Sequence, residues 1–156
     1  MPGKPSELLT WFGKSERPVA TTAAPASRAS QGQISGIGFA AAKAFANEGA
    51  QVVIVGRRPE AVDAAVAELG RGAAGFVGDV SDLSTHDRLA ADVAARFGAI
   101  DIYLANAGVC NIEPSFDVDA ESYDAQFATN TRAVFFGVSR ILSLVREGGS
   151  IILTGS

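Results

Sequence analysis

The chain has 156 residues, 47% of them hydrophobic, which is enough to bury the core of one small domain. Its formal net charge of -4 argues against a nucleic-acid surface, which concentrates positive charge on one face. A single cysteine forms no internal disulfide, no Cys/His cluster has metal-ligand spacing, and no apolar run reaches the ~18 residues that span a bilayer. The stretch from Met1 to Arg28 has no apolar segment followed by a cleavage site, so the expectation is a cytoplasmic protein without metal, nucleic acid or membrane.

In chain order, residues 1–31 are expected to form an irregular, poorly ordered head, because they crowd Pro2, Pro5, Pro18 and Pro25 and lack sustained periodicity. Within it, Leu8, Leu9, Trp11 and Phe12 suit one apolar helical turn, and Val19 to Thr22 suit a short strand. The second unit, residues 32–156, is regular. Gly36 to Asn47 reads as a helix stopped by Gly49, and Val52-Val53-Ile54-Val55 as a strand buried on both faces. Pro59 opens a second helix, with Ala61, Val62, Ala65, Val66 and Leu69 at helical spacing up to Gly70. A short strand follows at Gly75 to Val77. Ser81 or Asp82 caps a helix from Leu83 to Phe97, striped by Leu89, Val93 and Phe97, and Ile100 to Ala105 forms the next strand. A long helix is expected over Ser122 to Arg146 and a last strand at Ile151 to Leu153. Strands separated by helices must pair in parallel, which predicts an open, Rossmann-like α/β sheet with helices on both faces.

The turn Gly32-Gln33-Ile34-Ser35-Gly36-Ile37-Gly38 leads into the first helix. Glycine admits positive φ and close approach of a ligand, and the unpaired N–H groups of the helix start favour a pyrophosphate, which makes Gly32, Ser35, Gly36, Ile37 and Gly38 candidate contacts. About twenty residues on, the second strand ends in Gly56-Arg57-Arg58, where a dinucleotide fold meets the adenosine ribose. An acid there would bind a free 2′-hydroxyl, whereas Arg57 and Arg58 can pair with a 2′-phosphate, so the expected cofactor is NADP rather than NAD.

Together these features resemble the short-chain dehydrogenase/reductase family from Ser35 to Ser156. The family's glycine motif is matched at Gly32, Gly36 and Gly38, with Gln31 where the family has threonine. The resemblance implies an adenine-pocket role for Asp79 with Val80 beside it, and a cofactor-side role for Asn106, Ala107 and Gly108. It implies active-site roles for Asn130, through a proton relay, and for Ser156, which orients the carbonyl. The implied reaction is hydride transfer between NADP(H) and a small alcohol or carbonyl compound. A homo-oligomer built on the Ser122–Arg146 helix is implied as well.

Two departures shape the functional expectation. The family's Tyr-x-x-x-Lys has no counterpart, because Tyr103 and Tyr123 are followed four positions later by Ala107 and Phe127, and no lysine follows Lys43. The chain is therefore expected to be incomplete and inactive alone, or else a catalytically dead nucleotide-binding or interaction module that pairs with an intact homologue. The family also runs an apolar strand directly into the glycine turn, but Pro25 to Gln31 contains none. Without that strand two inner sheet edges would stay unpaired, and Val19 to Thr22 is the one substitute, with a longer loop. The compositional break points to a frame change near Gln33. His86 is expected on the surface, Cys110 as a small buried residue, Tyr123 in packing or on the surface, and Phe127, Phe135 and Phe136 in a core or interface.

Overall fold

Val52, Val53, Ile54 and Val55 are successive residues of one strand and each is 1% exposed or less, so this strand has cover on both faces. It is β2 (Gln51–Gly56) in a computed structural model that describes residues 18–22, 36–70 and 72–155. With β1 (Pro18–Thr22), β3 (Ala73–Val77), β4 (Ile100–Ala105) and β5 (Val145–Leu153) it builds a parallel sheet ordered β3-β2-β1-β4-β5. The predicted helical turn at Leu8 to Phe12 and the boundary at residue 31 lie outside the described residues.

Three helices connect the first four strands: α1 (Ile37–Asn47), α2 (Pro59–Leu69) and α3 (Leu83–Phe97). Their ends follow local chemistry. Pro59 occupies the first turn of α2, where a missing N–H costs nothing, and Gly70 leaves that helix at φ 79°. Asp82 caps α3 by accepting from Ser84 N at 3.0 Å, which settles the choice between Ser81 and Asp82.

Period-two alternation sorts the strand residues into two cores. Val19, Val52, Ile54 and Ile102 pack with Ala42 of α1 and Ala61, Val62 and Ala65 of α2. Ala20, Val53, Val55, Tyr103 and Ala105 pack on the other face with Leu89 and Val93 of α3. Gly75 of β3 lies under Val62, and a Cβ there would collide with that side chain.

The short segment in the head fills the middle of the sheet. Val19 pairs with Val52 on one side and Ile102 on the other, so β1 closes both inner edges that would otherwise be bare. The substitute strand is thus the sheet's centre.

The expected long helix is corrected. It begins at Ala120, where Asp119 accepts from Ser122 N at 2.8 Å, and comprises α4 (Ala120–Phe127), a π turn (Ala128–Arg132), α5 (Ala133–Ile141) and a 3₁₀ turn (Leu142–Leu144). At Val145 the backbone becomes extended and β5 begins, earlier than the expected Ile151. Gly148 at φ 77° absorbs a register irregularity against β4, and Arg146 pairs with Asp101 at 3.0 Å. The polar run Arg146 to Ser150 hides this half of the strand from a periodicity argument.

Candidate functional site

The sheet grows outward from β1 to β3 and then jumps back to place β4 beside β1, so the connections diverge between β1 and β4 at the carboxyl edge. Ligands of such sheets bind at that divergence. A helix linking parallel strands runs back against them, so α1 starts at the same edge. Gly36 precedes it at φ 85°, a conformation that favours glycine, and no side chain caps the helix. The first intrahelical bond runs from Ala40 N to Gly36 O at 3.0 Å, leaving the N–H groups of Ile37, Gly38 and Phe39 without intrahelical acceptors. Ile37 is exposed and Gly38 buried. Gly32 and Ser35 lie outside the described residues.

A cleft opens between the ends of β2, β3 and β4, and Gly56, Arg57, Asp79, Val80, Ala107, Gly108 and Thr129 line it. Gly78 N donates to Gly56 O at 2.9 Å and fixes the spacing of two of those strand ends. Asp79 turns the chain by accepting from both Ser81 N (2.9 Å) and Ser81 Oγ (2.7 Å) on Oδ1. Its Oδ2 lies 3.9 Å from Arg57 Nη1, and both side chains are about half exposed. Arg58 is exposed, precedes α2 as its N-terminal flank and does not line the cleft. The structure therefore brings Arg57, Asp79, Val80, Ala107 and Gly108 together and leaves Arg58 aside.

Asn130 sits in the π turn and faces the loop after β4. Its Oδ1 accepts from Val109 N at 2.8 Å and its Nδ2 donates to Val109 O at 2.7 Å, so both ends of the amide hold one backbone unit. A π turn pushes one extra residue into a helix and re-aims its neighbours, which is how Thr129 reaches the cleft while Asn130 reaches Val109. Thr154, two residues before Ser156, donates from N to Ala105 O at 3.0 Å and from Oγ1 to Asn106 Oδ1 at 3.1 Å. That tie anchors the end of β5 beside Asn106. Ser156 itself lies outside the described residues. Thr129, Val109 and Thr154 went unnoticed in the sequence because each contributes a backbone group or a small side chain that no motif marks.

Two expectations about lone residues are corrected. His86 is buried rather than surface, because the one turn between Asp79 and α3 folds it under Val80, whose carbonyl oxygen lies 2.8 Å from Nε2. Cys110 is exposed rather than buried, since it falls in the loop after Gly108 and not in β4. Tyr123 is exposed and stacks on Phe127 at 4.3 Å, while Phe135 is 69% exposed on α5. Tyr103 is buried, and burial pushes its hydroxyl up to about 12. The described residues hold no cluster of His, Cys, Asp or Glu suited to a metal, and no helix long and apolar enough to cross a membrane.

Burial lowers the pKa of His86 below the ordinary 6.5 and outweighs the opposing bond to Val80 and the charge of Asp87. Arg140 of α5 lowers it further and Asp82 raises it, while Tyr103 is the neutral titratable neighbour from β4. The unfolded chain then binds this proton more tightly than the folded one. The stability due to neutral His86 is complete above pH 6.5 and falls as pH drops through that value toward the folded pKa. Thermal melts at pH 7.5 and 5.5 are expected to show a loss that shrinks in His86→Gln; equal losses in both proteins would refute the assignment.

Residues 32–156 match the family model described as enoyl-(acyl carrier protein) reductase. Oxidoreductase asL5 of Sarocladium schorii is 46% identical over 127 residues, which cover 80% of this chain and 51% of the relative. A sorbitol dehydrogenase of Cereibacter sphaeroides is 38% identical over 124 residues, covering 78% and 48%. The solved short-chain dehydrogenase/reductase described as a glucose/ribitol dehydrogenase from Brucella melitensis has a TM-score of 0.79 at 27% identity, covering 89% of this chain and 56% of that one. The chain spans about half the length of the curated relatives it matches.

Proposed function

This chain belongs to the short-chain dehydrogenase/reductase family, and from that premise we propose that residues 32–156, with β1 at the centre of their sheet, are the NADP-binding part of an oxidoreductase acting on a small alcohol or carbonyl compound in the cytoplasm. The observation that carries the reading is the cleft at the end of β2, where the half-exposed Arg57 stands and no acid follows Gly56. The donor set fits the nucleotide. The N–H groups that open α1 without intrahelical acceptors suit a pyrophosphate, Arg57 suits a 2′-phosphate, and Asp79 and Val80 wall the space for the adenosine. The nicotinamide supplies the hydride when bound.

The family's Tyr-x-x-x-Lys has no counterpart among these 156 residues. Asn130 holds Val109 and so shapes the loop beyond Gly108, and Ser156 is assigned to orient the substrate carbonyl by resemblance alone. Neither tyrosine replaces the missing acid/base group: Tyr103 is buried with a raised pKa, and Tyr123 lies on α4 stacked against Phe127. General acid/base catalysis contributes ~10²- to 10⁴-fold, so the chain alone is expected to turn over little or nothing. A second reading, a binding module that pairs with an intact homologue, is favoured by the exposed Phe127, Phe135 and Leu142 along the helix.

Fluorescence titration of the purified chain tests the reading. NADPH is expected to bind at least ~10-fold more tightly than NADH, the value of one charge-assisted contact to the extra phosphate, without oxidation in the presence of carbonyl compounds. Equal or tighter NADH binding would remove the NADP assignment. A chain that melts cooperatively but binds neither would remove the nucleotide site, and steady NADPH oxidation would remove the inactivity.

A further inference from the structure

His86 is 3% exposed and comes from the first turn of α3. The carbonyl of Val80, 2.8 Å from Nε2, can only accept, so Nε2 carries the hydrogen and the neutral ring offers Nδ1 as a lone-pair acceptor. Among the described residues, Nδ1 of His86 is the buried side-chain polar atom left without a hydrogen-bond partner. Buried polar atoms are nearly always paired, so its surroundings must be asked what completes it.

Tyr103 of β4, 1% exposed, directs its hydroxyl to the same place. Both groups converge on the point that a side chain at Gly137 of α5 would fill. A Cβ there would stand 2.5 Å from Tyr103 Oη and 3.2 Å from His86 Nδ1. A cavity of about 10 Å³ has His86, Tyr103, Thr129 and Ala133 in its lining. That volume is close to the ~10–15 Å³ that admits a single water.

We propose that this cavity is a binding site for one internal water, which donates to His86 Nδ1 and accepts from the Tyr103 hydroxyl. The pairing is chemically complete: a neutral imidazole supplies the acceptor, a phenol supplies the donor, and water is both. The raised pKa of Tyr103 and the lowered pKa of His86 keep each group in the protonation state that the bridge requires. A larger guest does not fit, and an ion would meet a neutral imidazole and a neutral phenol with no compensating charge among the groups that hold the site.

The site also backs the nucleotide cleft. Val80, Ala107 and Thr129 line both spaces, so one layer of residues separates the water from the cleft. Through His86 the water joins β4 to the Val80 carbonyl, next to Asp79. Arg132 of the π turn holds the adjoining Ser81 carbonyl at 3.2 Å. The turn that carries Asp79 is thus secured from behind by two neighbouring carbonyls, one through His86 and its water and the other through Arg132.

His86 is the chain's only histidine, so its ring nitrogens can be read by ¹⁵N NMR without assignment. The expected result for the intact chain, with no nucleotide added, is an Nε2–H tautomer, an Nδ1 resonance shifted as for a hydrogen-bonded lone pair, and cross-relaxation to a bound water proton. Gly137→Ala brings a methyl within 2.5 Å of Tyr103 Oη and 3.2 Å of His86 Nδ1, so the groups that hold the water must move apart and the Nδ1 shift and water signal should both be lost. An Nδ1–H tautomer, a free-lone-pair shift in the parent, or a direct Tyr103–His86 bond in a crystal structure would overturn the proposal. If Gly137→Ala does not fold, Tyr103→Phe serves instead: the bridge requires a weakened water signal with the tautomer unchanged, and an unaltered signal would overturn it. None of these readouts depends on nucleotide binding.

Discussion

Arg57→Glu is expected to weaken NADPH binding by about 10- to 100-fold while leaving NADH binding unchanged or stronger. The magnitude is that of one charge-assisted contact to a phosphate, ~1.5–3 kcal/mol, and the introduced carboxylate also repels the 2′-phosphate dianion. The direction for NADH follows from the other half of the same chemistry, because a carboxylate at this strand end accepts from a free ribose 2′-hydroxyl. Arg57 is available for the task. Its separation from Asp79 is 3.9 Å and both side chains are about half exposed, so their attraction is weak and easily exchanged for a phosphate. Arg58 provides the control, since it flanks α2 outside the cleft, and Arg58→Glu is expected to alter NADPH affinity by less than ~3-fold, the size of an exposed charge effect. Parallel titrations of the two variants with both nucleotides decide the matter. Equal losses for NADPH and NADH in Arg57→Glu, or a larger NADPH loss in Arg58→Glu, would remove Arg57 from the selecting role.

What could be read from the chain was local. Val52 to Val55 announced a strand covered on both faces because its residues leave no polar side, and Asp79 and Asn106-Ala107-Gly108 fell at strand ends because short motifs travel with their turns. What could not be read depended on contacts across the sheet. His86 looked like a surface residue because its neighbours Thr85, Asp87 and Arg88 are polar, yet Thr85 and His86 are both buried against α5 and the β3–α3 turn. Asn130 was marked by resemblance alone, and its grip on Val109 required the π turn, which no spacing rule predicts in a run that otherwise reads as helix. The division between Arg57 and Arg58 likewise needed the strand end in space: one residue of difference sends the side chains to different surroundings. The start of β5 was hidden because Gly148-Gly149 and the charges before them break the apolar pattern of a strand that pairing alone defines.

The placement of β1 carries the largest stability prediction: Val19→Asp is expected to abolish cooperative thermal unfolding at neutral pH. Val19 is 1% exposed, lies between β2 and β4, and packs with Val52, Ile54 and Ile102 under α1. A carboxylate there would lose its hydration among aliphatic groups, an effective penalty of several kcal/mol against a total stability of ~5–15 kcal/mol for a domain of this kind. The damage would not stay local, because β1 supplies the ladder partners for both inner edges of the sheet. Val19→Ala removes apolar volume without adding charge and is expected to cost ~2 kcal/mol with the melt still cooperative. Ala91→Asp on the exposed face of α3 adds the same charge and should remain within ~0.5 kcal/mol of the parent. Circular dichroism melts of the three variants separate burial from charge. A parent-like melt for Val19→Asp would place this segment outside the sheet and leave β2 and β4 to be closed by some other part of the chain.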